Sequence, residues 1–483
     1  MNDTTVIHDI AWLVAWDGTK HVYLRHADLA FANGSITHVG KGRDVSAGRR
    51  IDGSGLLVMP GLVNIHTHAQ SEAMRKGITD ETHSPGFWHS SLYEHLPVFN
   101  PTDEEGREAC LKVALAELLL SGVTTAVDLS MPYDGWLDAL AASGIRGVAA
   151  PMFRDARWST ADGHSLDYDW TPGAGARGLE RALTVIELAR QHPSGRLSGM
   201  VAPSQVDTCT EETLRDSHAA ARERNLPWTI HAAQSVTEFH EMQRRHGASP
   251  IQWMHDIGVL DERSTIAHCI FFDHHPWLHW TARRDLDLMR DSGATVAHCP
   301  TVFSRRGIAL NTIGGYLRHG VSLGLGTDTY PHNMLDEMRT AAVAARLVAG
   351  SVADLDYSEI FHAATVGGAT ALGRDDLGRI SVGAKADLVT IDLAHPAMRP
   401  VREPLRSLIV VAAERAVRDV WVEGERVVAD GEIVTVDLAA ELDRLEAGQR
   451  AMMAAVPQID WAGRTVDALA PMMLDTVDDV GRP

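Results

Sequence analysis

Two periodicities alternate along most of this chain: short runs dominated by hydrophobic and small residues, and longer stretches in which apolar residues recur at helical spacing. The apolar runs are Leu62–His68, Val123–Leu129, Ile145–Met152, Leu197–Ala202, Trp228–Ala232, Thr265–Cys269, Thr295–Cys299 and Ser322–Asp328. A strand buried on both faces reads as such a run, and alternation with helices is the signature of repeated βα units around a parallel sheet. Helices are expected at Glu104–Leu120 and at Ala174–Gln191, the second after a Pro172-Gly173 turn. Eight βα units predict a closed (β/α)8 TIM barrel, an α/β fold whose active site lies at the C-terminal ends of its strands.

The chain ends follow another pattern. Residues 1–58 alternate short β-type runs (His21-Val-Tyr-Leu, Ser35-Ile-Thr-His-Val) with turns at Asn33-Gly34 and Asp52-Gly53-Ser54-Gly55. The same style returns in Lys385–Asp392 and Val417–Val428. We expect residues 1–58 and 376–436 to complete one small β-sandwich module, residues 59–375 to form the barrel, and residues 437–483 to form a C-terminal helical segment and tail.

Composition narrows the function classes. A formal charge of −20 over 483 residues argues against a nucleic-acid partner, which needs clustered Lys and Arg. No run of about 18 apolar residues predicts a membrane span, and the N-terminal stretch has no basic region or small-residue cleavage site, so a cytoplasmic protein is expected. Cys110, Cys209, Cys269 and Cys299 form no CxxC pair and are expected to be reduced thiols.

The chemistry concentrates at the ends of the runs. His66 and His68 close the first run, and period-two alternation points both imidazoles the same way. His231, His268, His298 and Asp328 end runs five to eight, so all six fall at one rim. An isolated His-x-His is weak evidence, because most histidines serve no metal; convergence of several strand ends is what a metal site needs. Cys269 and Cys299 each follow a rim histidine and are expected to turn outward and pack.

The stretches Asp52–His68, Ser121-Gly-Val-Thr-Thr, Ala267-His268-Cys, Ala297-His298-Cys-Pro300, Gly326-Thr-Asp328 and Leu377–Leu388 together resemble the metal-dependent amidohydrolase superfamily, in the branch of cytosine deaminase, adenosylhomocysteine-type deaminases and triazine hydrolases. The resemblance implies that His66, His68, His231 and Asp328 ligate one metal. It also implies that His268 contacts the attacking water or substrate, that His298 lines the substrate pocket, and that the protein is a homo-oligomer. Some relatives hold a second metal through a carboxylated lysine after strand four, but here that position reads Val201-Ala-Pro-Ser-Gln, and no lysine occurs between Lys112 and Lys385. One divalent ion is therefore expected. Zn²⁺ suits the donors, and Fe²⁺, Co²⁺ or Mn²⁺ would fit them too. Such an ion lowers the pKa of water toward neutrality, with Asp328 as ligand and base and His268 as hydrogen-bond partner.

One position departs from the deaminase pattern. Ring deaminases of this branch carry a glutamate three residues after the strand-five histidine, and this chain has Gln234, which binds but cannot shuttle a proton. Glu238, one turn further, is a candidate to replace that glutamate, but it reads more readily as a solvated helix residue. The segments His231–Glu238 and Gly326–Met334 are similar to a subgroup that includes phenylurea and molinate hydrolases. The leading expectation is hydrolysis of a C–N or related C–S or C–Cl bond in a urea, carbamate, amide or substituted heteroaromatic. The alternatives are deamination of a nucleobase-like or pterin-like ring and, from another class, an inactive metal-binding scaffold. Aromatic residues after strands one and three (Phe87, Trp88, Tyr93, Phe153, Trp158) suggest a partly apolar small-molecule substrate, with Trp88 in the pocket beside Gln234 and His298.

Overall fold

The computed structural model describes residues 4–42, 47–78, 85–88, 90–311 and 313–476. Eight parallel strand positions form the centre: β1 (Leu62–Thr67), β2 (Val123–Ser130), β3 (Arg146–Phe153), β4 in two pieces (Ser198–Gly199 and Ala202–Pro203), β5 (Trp228–Ala232), β6 (Ser264–His268), β7 (Thr295–His298) and β8 (Ser322–Leu325). They hydrogen-bond as two four-position sheets, β1 to β4 and β5 to β8. Bridges Val201↔Trp228 and Gln205↔His231 join the sheets on one side, and Thr67↔Asp328 joins them on the other. The barrel is thereby closed, as the repeated βα pattern requires.

Its interior is filled by Val63, Ile65, Val127, Leu129, Val148, Ala150, Met200, Ala202, Ala267 and Ala297, all buried in one cluster. Helices cover the outside, among them α1 (Glu104–Leu120), α2 (Ala174–Arg190), α3 (Glu211–Glu223) and α4 (Val236–His246). Asp103 caps α1 by accepting the Gly106 N–H, and Ser235 caps α4 by accepting the Glu238 N–H. The helix Leu438–Ile459 packs Leu445, Met452 and Val456 against Ala109, Cys110 and Val113 of α1.

The two chain ends meet in a seven-stranded sheet. Leu56–Pro60 runs antiparallel to Leu388–Asp392, with Met59 opposite Val389. A four-stranded sheet built from Thr5–Ile10, Ala27–Ala32, Ser35–Gly40 and Arg49–Asp52 lies over it. Ile7, Leu13, Phe31, Val58, Leu388 and Trp421 fill the space between the two sheets. A buried bidentate pair fastens this module to the barrel: Arg146, the first residue of β3, donates from Nε and Nη2 to Asp387 at 3.0 and 3.1 Å.

No described helix is long and apolar enough to cross a membrane. The four cysteines are buried and free.

Candidate metal centre

The site begins with an irregularity in β1. Asn64 pairs with Ala126 but Thr67 pairs with Asp128, so β1 carries one residue more than β2 over this interval. A bulge of this kind reverses the phase of alternation beyond it. Val63 and Ile65 point into the barrel core, and strict alternation would then have sent His66 outward; the extra residue brings His66 and His68 inward instead. Asn64 holds the bulge. Its Oδ1 accepts the N–H of His66 at 3.1 Å and of Thr327 at 3.3 Å, while its Nδ2 donates to Thr327 Oγ1 at 2.8 Å.

The closing seam lies beside it. Asp328 N–H donates to His66 O at 2.9 Å, and His68 N–H donates to Asp328 O at 3.1 Å. Gly326 permits this approach, since a Cβ there would stand 2.6 Å from His66 Cβ and 2.7 Å from its carbonyl oxygen. Asp328 (φ 58°) and His268 (φ 76°) both occupy the left-handed region, where non-glycine residues are uncommon and functional sites are over-represented.

The donor atoms converge. Asp328 Oδ1 lies 3.4 Å from Nε2 of both His66 and His68, and His68 Nε2 lies 3.1 Å from His231 Nε2. The Nδ1 atoms of His68 and His231 meet the carbonyl oxygens of Leu129 (2.9 Å) and Ser204 (2.5 Å). A carbonyl can only accept, so Nδ1 carries the proton and Nε2 presents a lone pair. Burial holds His68 down to about 4 and His231 well below the usual imidazole range, so neither Nε2 is protonated at neutral pH. Two facing lone pairs beside a carboxylate repel unless a cation lies between them. Ligand atoms around a tetrahedral ion with bonds of about 2.1 Å stand roughly 3.4 Å apart, close to these separations. Both ring nitrogens of His66 lack a hydrogen-bond partner although the residue is fully buried. The donor set fits a divalent ion, and the backbone carbonyls supply the orienting bonds that such ligands need.

The structure places the other expected residues as follows. The His268 ring lies 5.1 Å from that of His66 and 5.4 Å from that of His231, and burial holds its pKa down to about 3. Asp328 is buried, which alone would raise its pKa, but the electrostatic field of the surrounding imidazoles of His66, His68 and His268 holds it well below the ordinary carboxylate range. His298 ends β7 outside the group of donors, buried with Nδ1 unpartnered. Gln234 is buried with Nε2 unpartnered. Trp88 is 54% exposed, and it is Phe87 and Tyr93 that pack inward: their rings are 5.3 Å apart, Tyr93 lies 4.9 Å from Trp158, and the Tyr93 hydroxyl meets Ser235 Oγ at 2.6 Å.

Two expectations need correction. Glu238 is not a solvated helix residue: it is fully buried, and its carboxylate accepts the N–H groups of Ala233 (2.6 Å) and Gln234 (3.3 Å). Burial and the nearby Asp207 push its pKa well above the usual value. The spacing from Gln234 placed Glu238 on a helix but could not show that the first turn of α4 tucks under the end of β5. Cys299 does more than pack against helices, because its Sγ and one ring nitrogen each of His66 and His268 lie within 4.8 Å of one another. Asn64, Leu129 and Ser204 went unnoticed in the sequence. Only Asn64 left a signal, a lone amide inside an apolar strand; the other two act through backbone carbonyls that any residue carries.

Residues 57–427 match the Amidohydrolase family. The chain is 31% identical over 428 residues to a 5-methylthioadenosine/S-adenosylhomocysteine deaminase of Halobacterium salinarum, covering 86% of this chain and 91% of the relative. It is 27% identical over 439 residues to a 5'-deoxyadenosine deaminase of Methanosarcina mazei, covering 90% and 95%. Among solved structures it is similar to an adenosine deaminase of Xanthomonas campestris with bound zinc (TM-score 0.78, 24% identity, 93% of this chain and 98% of that one). It is similar in the same way to an atrazine chlorohydrolase of Arthrobacter aurescens complexed with zinc (TM-score 0.76, 23% identity, 92% and 100%).

Proposed function

We propose that this chain, which belongs to the amidohydrolase family, is an aminohydrolase that replaces the exocyclic amino group of an adenine-nucleoside-like ring with oxygen, releasing ammonia. That it is a hydrolase of carbon–nitrogen bonds other than peptide bonds follows from the family and its deaminase relatives. The observation that carries the finer reading is the 31% identity over 428 residues to a methylthioadenosine/S-adenosylhomocysteine deaminase. It favours the ring-deaminase alternative over urea or carbamate hydrolysis.

His66, His68, His231 and Asp328 would hold the ion, with zinc the ion in two structural neighbours. When bound, a divalent ion supplies Lewis acidity that makes water nucleophilic near neutral pH. Asp328, kept ionised by its histidines, accepts a proton from the attacking water and returns it to the departing nitrogen. His268, neutral at pH 7, hydrogen-bonds the developing oxygen. Gln234 carries an amide that can donate an N–H but no titrating proton, so it would activate a ring nitrogen by hydrogen bonding rather than by protonating it. Phe87, Tyr93 and Trp158 supply apolar surface for the rest of the substrate.

Gln234 also sustains the second reading, attack on a urea, carbamate or amide carbon, which needs no ring protonation. Ammonia release from 5'-modified adenosines, other purines, pyrimidines and pterins, compared with amine release from aryl ureas and carbamates, separates the two. Turnover confined to the ureas and carbamates would reject the deaminase reading.

A further inference from the structure

The end of the barrel opposite the donor set holds a cavity of about 290 Å³. Its wall includes Thr125 near the start of β2, Arg146 and Ser198 at the first positions of β3 and β4, Arg190 at the end of α2, Arg224 just after α3, and Arg374. Four arginines thus line one space, and among the described residues its wall contains no carboxylate.

The carboxylates that balance these arginines stand outside the wall. Asp387 and Asp376 take the Nε and Nη2 edges of Arg146 and Arg374, leaving the Nη1 group of each for another acceptor. Glu187 lies 3.5 Å from Arg190, and Glu223 accepts from Arg224 at 2.7 Å. Arg146 is 4% exposed, so its guanidinium is held in place and largely out of bulk water. Thr125 is fully buried, lines the cavity, and has a hydroxyl with no hydrogen-bond partner. That hydroxyl is free to donate to a ligand atom. The rest of the wall is apolar, with Val148, Leu226 and Leu372.

We propose that this cavity binds a small phosphate monoester, with the phosphate among the arginines and the Thr125 hydroxyl and the apolar body of the ester against Val148, Leu226 and Leu372. Guanidinium groups meet phosphate oxygens in forked geometry, and a hydroxyl donor completes such a shell. A free anion would use the arginines but leave the apolar wall without a partner. The site is separate from the catalytic rim and does not depend on the reaction proposed there.

The test uses the metal-loaded enzyme and calorimetric titration at constant ionic strength, with phenyl phosphate, inorganic phosphate and phenol as probes. Phenyl phosphate is expected to bind at millimolar concentration or below, more tightly than inorganic phosphate, and phenol not at all. Arg190→Gln with Arg224→Gln, both exposed positions, is expected to weaken phenyl phosphate by at least about tenfold, the loss of a charged hydrogen bond. Thr125→Val is expected to weaken it several-fold, with turnover at the metal rim unchanged in all variants. No heat from either phosphate, or affinity unchanged in both variants, would overturn the proposal. Equal affinity for the two phosphates would overturn the monoester assignment and leave an anion site.

Discussion

His68 and His231 face each other with their Nε2 atoms 3.1 Å apart, each ring turned by an Nδ1–H bond to a backbone carbonyl on a neighbouring strand. Neither nitrogen can donate to the other, so the pair makes sense only around a cation. We expect one equivalent of divalent metal per chain by elemental analysis. Chelation should abolish activity and lower Tm, and added Zn²⁺ should restore both, because a ligand that binds only the native state stabilises it. Two equivalents, both needed for turnover, would contradict the single site.

Asp328→Asn keeps the shape but loses the charge that offsets three imidazoles and, in the proposed reaction, the base that would move the proton. Turnover is expected to fall by about 10²-fold or more, with weaker metal retention, measured by steady-state rates and metal content. Wild-type rates with full metal would remove Asp328 from the proton path.

Asn64 is fully buried in β1, and three hydrogen bonds of its amide fix the bulge that aims His66. Asn64→Ala strands the N–H groups of His66 and Thr327 in a buried place. The expected cost is about 2 kcal/mol in denaturant unfolding, with metal affinity reduced by about 10-fold to 100-fold. Destabilisation with unchanged metal affinity would make Asn64 a packing residue only.

In the proposed deamination, Gln234 would decide how the ring is activated. Gln234→Ala should raise KM more than it lowers kcat, since an amide that only hydrogen-bonds contributes much the same in ground and transition states. Gln234→Glu restores a titrating group and should raise kcat on ring-amine substrates by about tenfold or more. A collapse of kcat in the alanine variant at constant KM would show that Gln234 acts in the chemical step.

Asp285 offers a pH test remote from the metal. Burial first, and then the neighbouring Asp273, push its carboxyl up to about 7, while Ser249 donates to it at 2.5 Å. Its folded pKa exceeds the unfolded value of about 4, so between these values the native state binds more protons, and stability falls as pH rises through that window. Asp285→Asn removes the titration. The decline of Tm from about pH 5 to pH 7 should therefore flatten in the variant; an unchanged slope would assign that decline to other groups.

By itself, the sequence determined the architecture and the inventory of chemistry. Eight apolar runs alternating with amphipathic helices force a parallel barrel, because strands buried on both faces need helices on their outer side. His66, His68, His231, His268 and Asp328 were visible because each ends such a run, and run ends fall at one rim whatever the loops do. What only the tertiary structure decided is geometry that leaves no mark in local pattern. The bulge at Asn64 depends on how β1 registers against β2, a non-local match. The tautomers of His68 and His231 depend on the carbonyls of Leu129 and Ser204, which the sequence does not distinguish from any other. Glu238 and Cys299 looked like ordinary surface and packing residues until the end of β5 and the approach of β8 to β1 enclosed them. Burial of a charge is set by what the rest of the chain lays over it, and periodicity records only which side of a helix or strand a residue occupies.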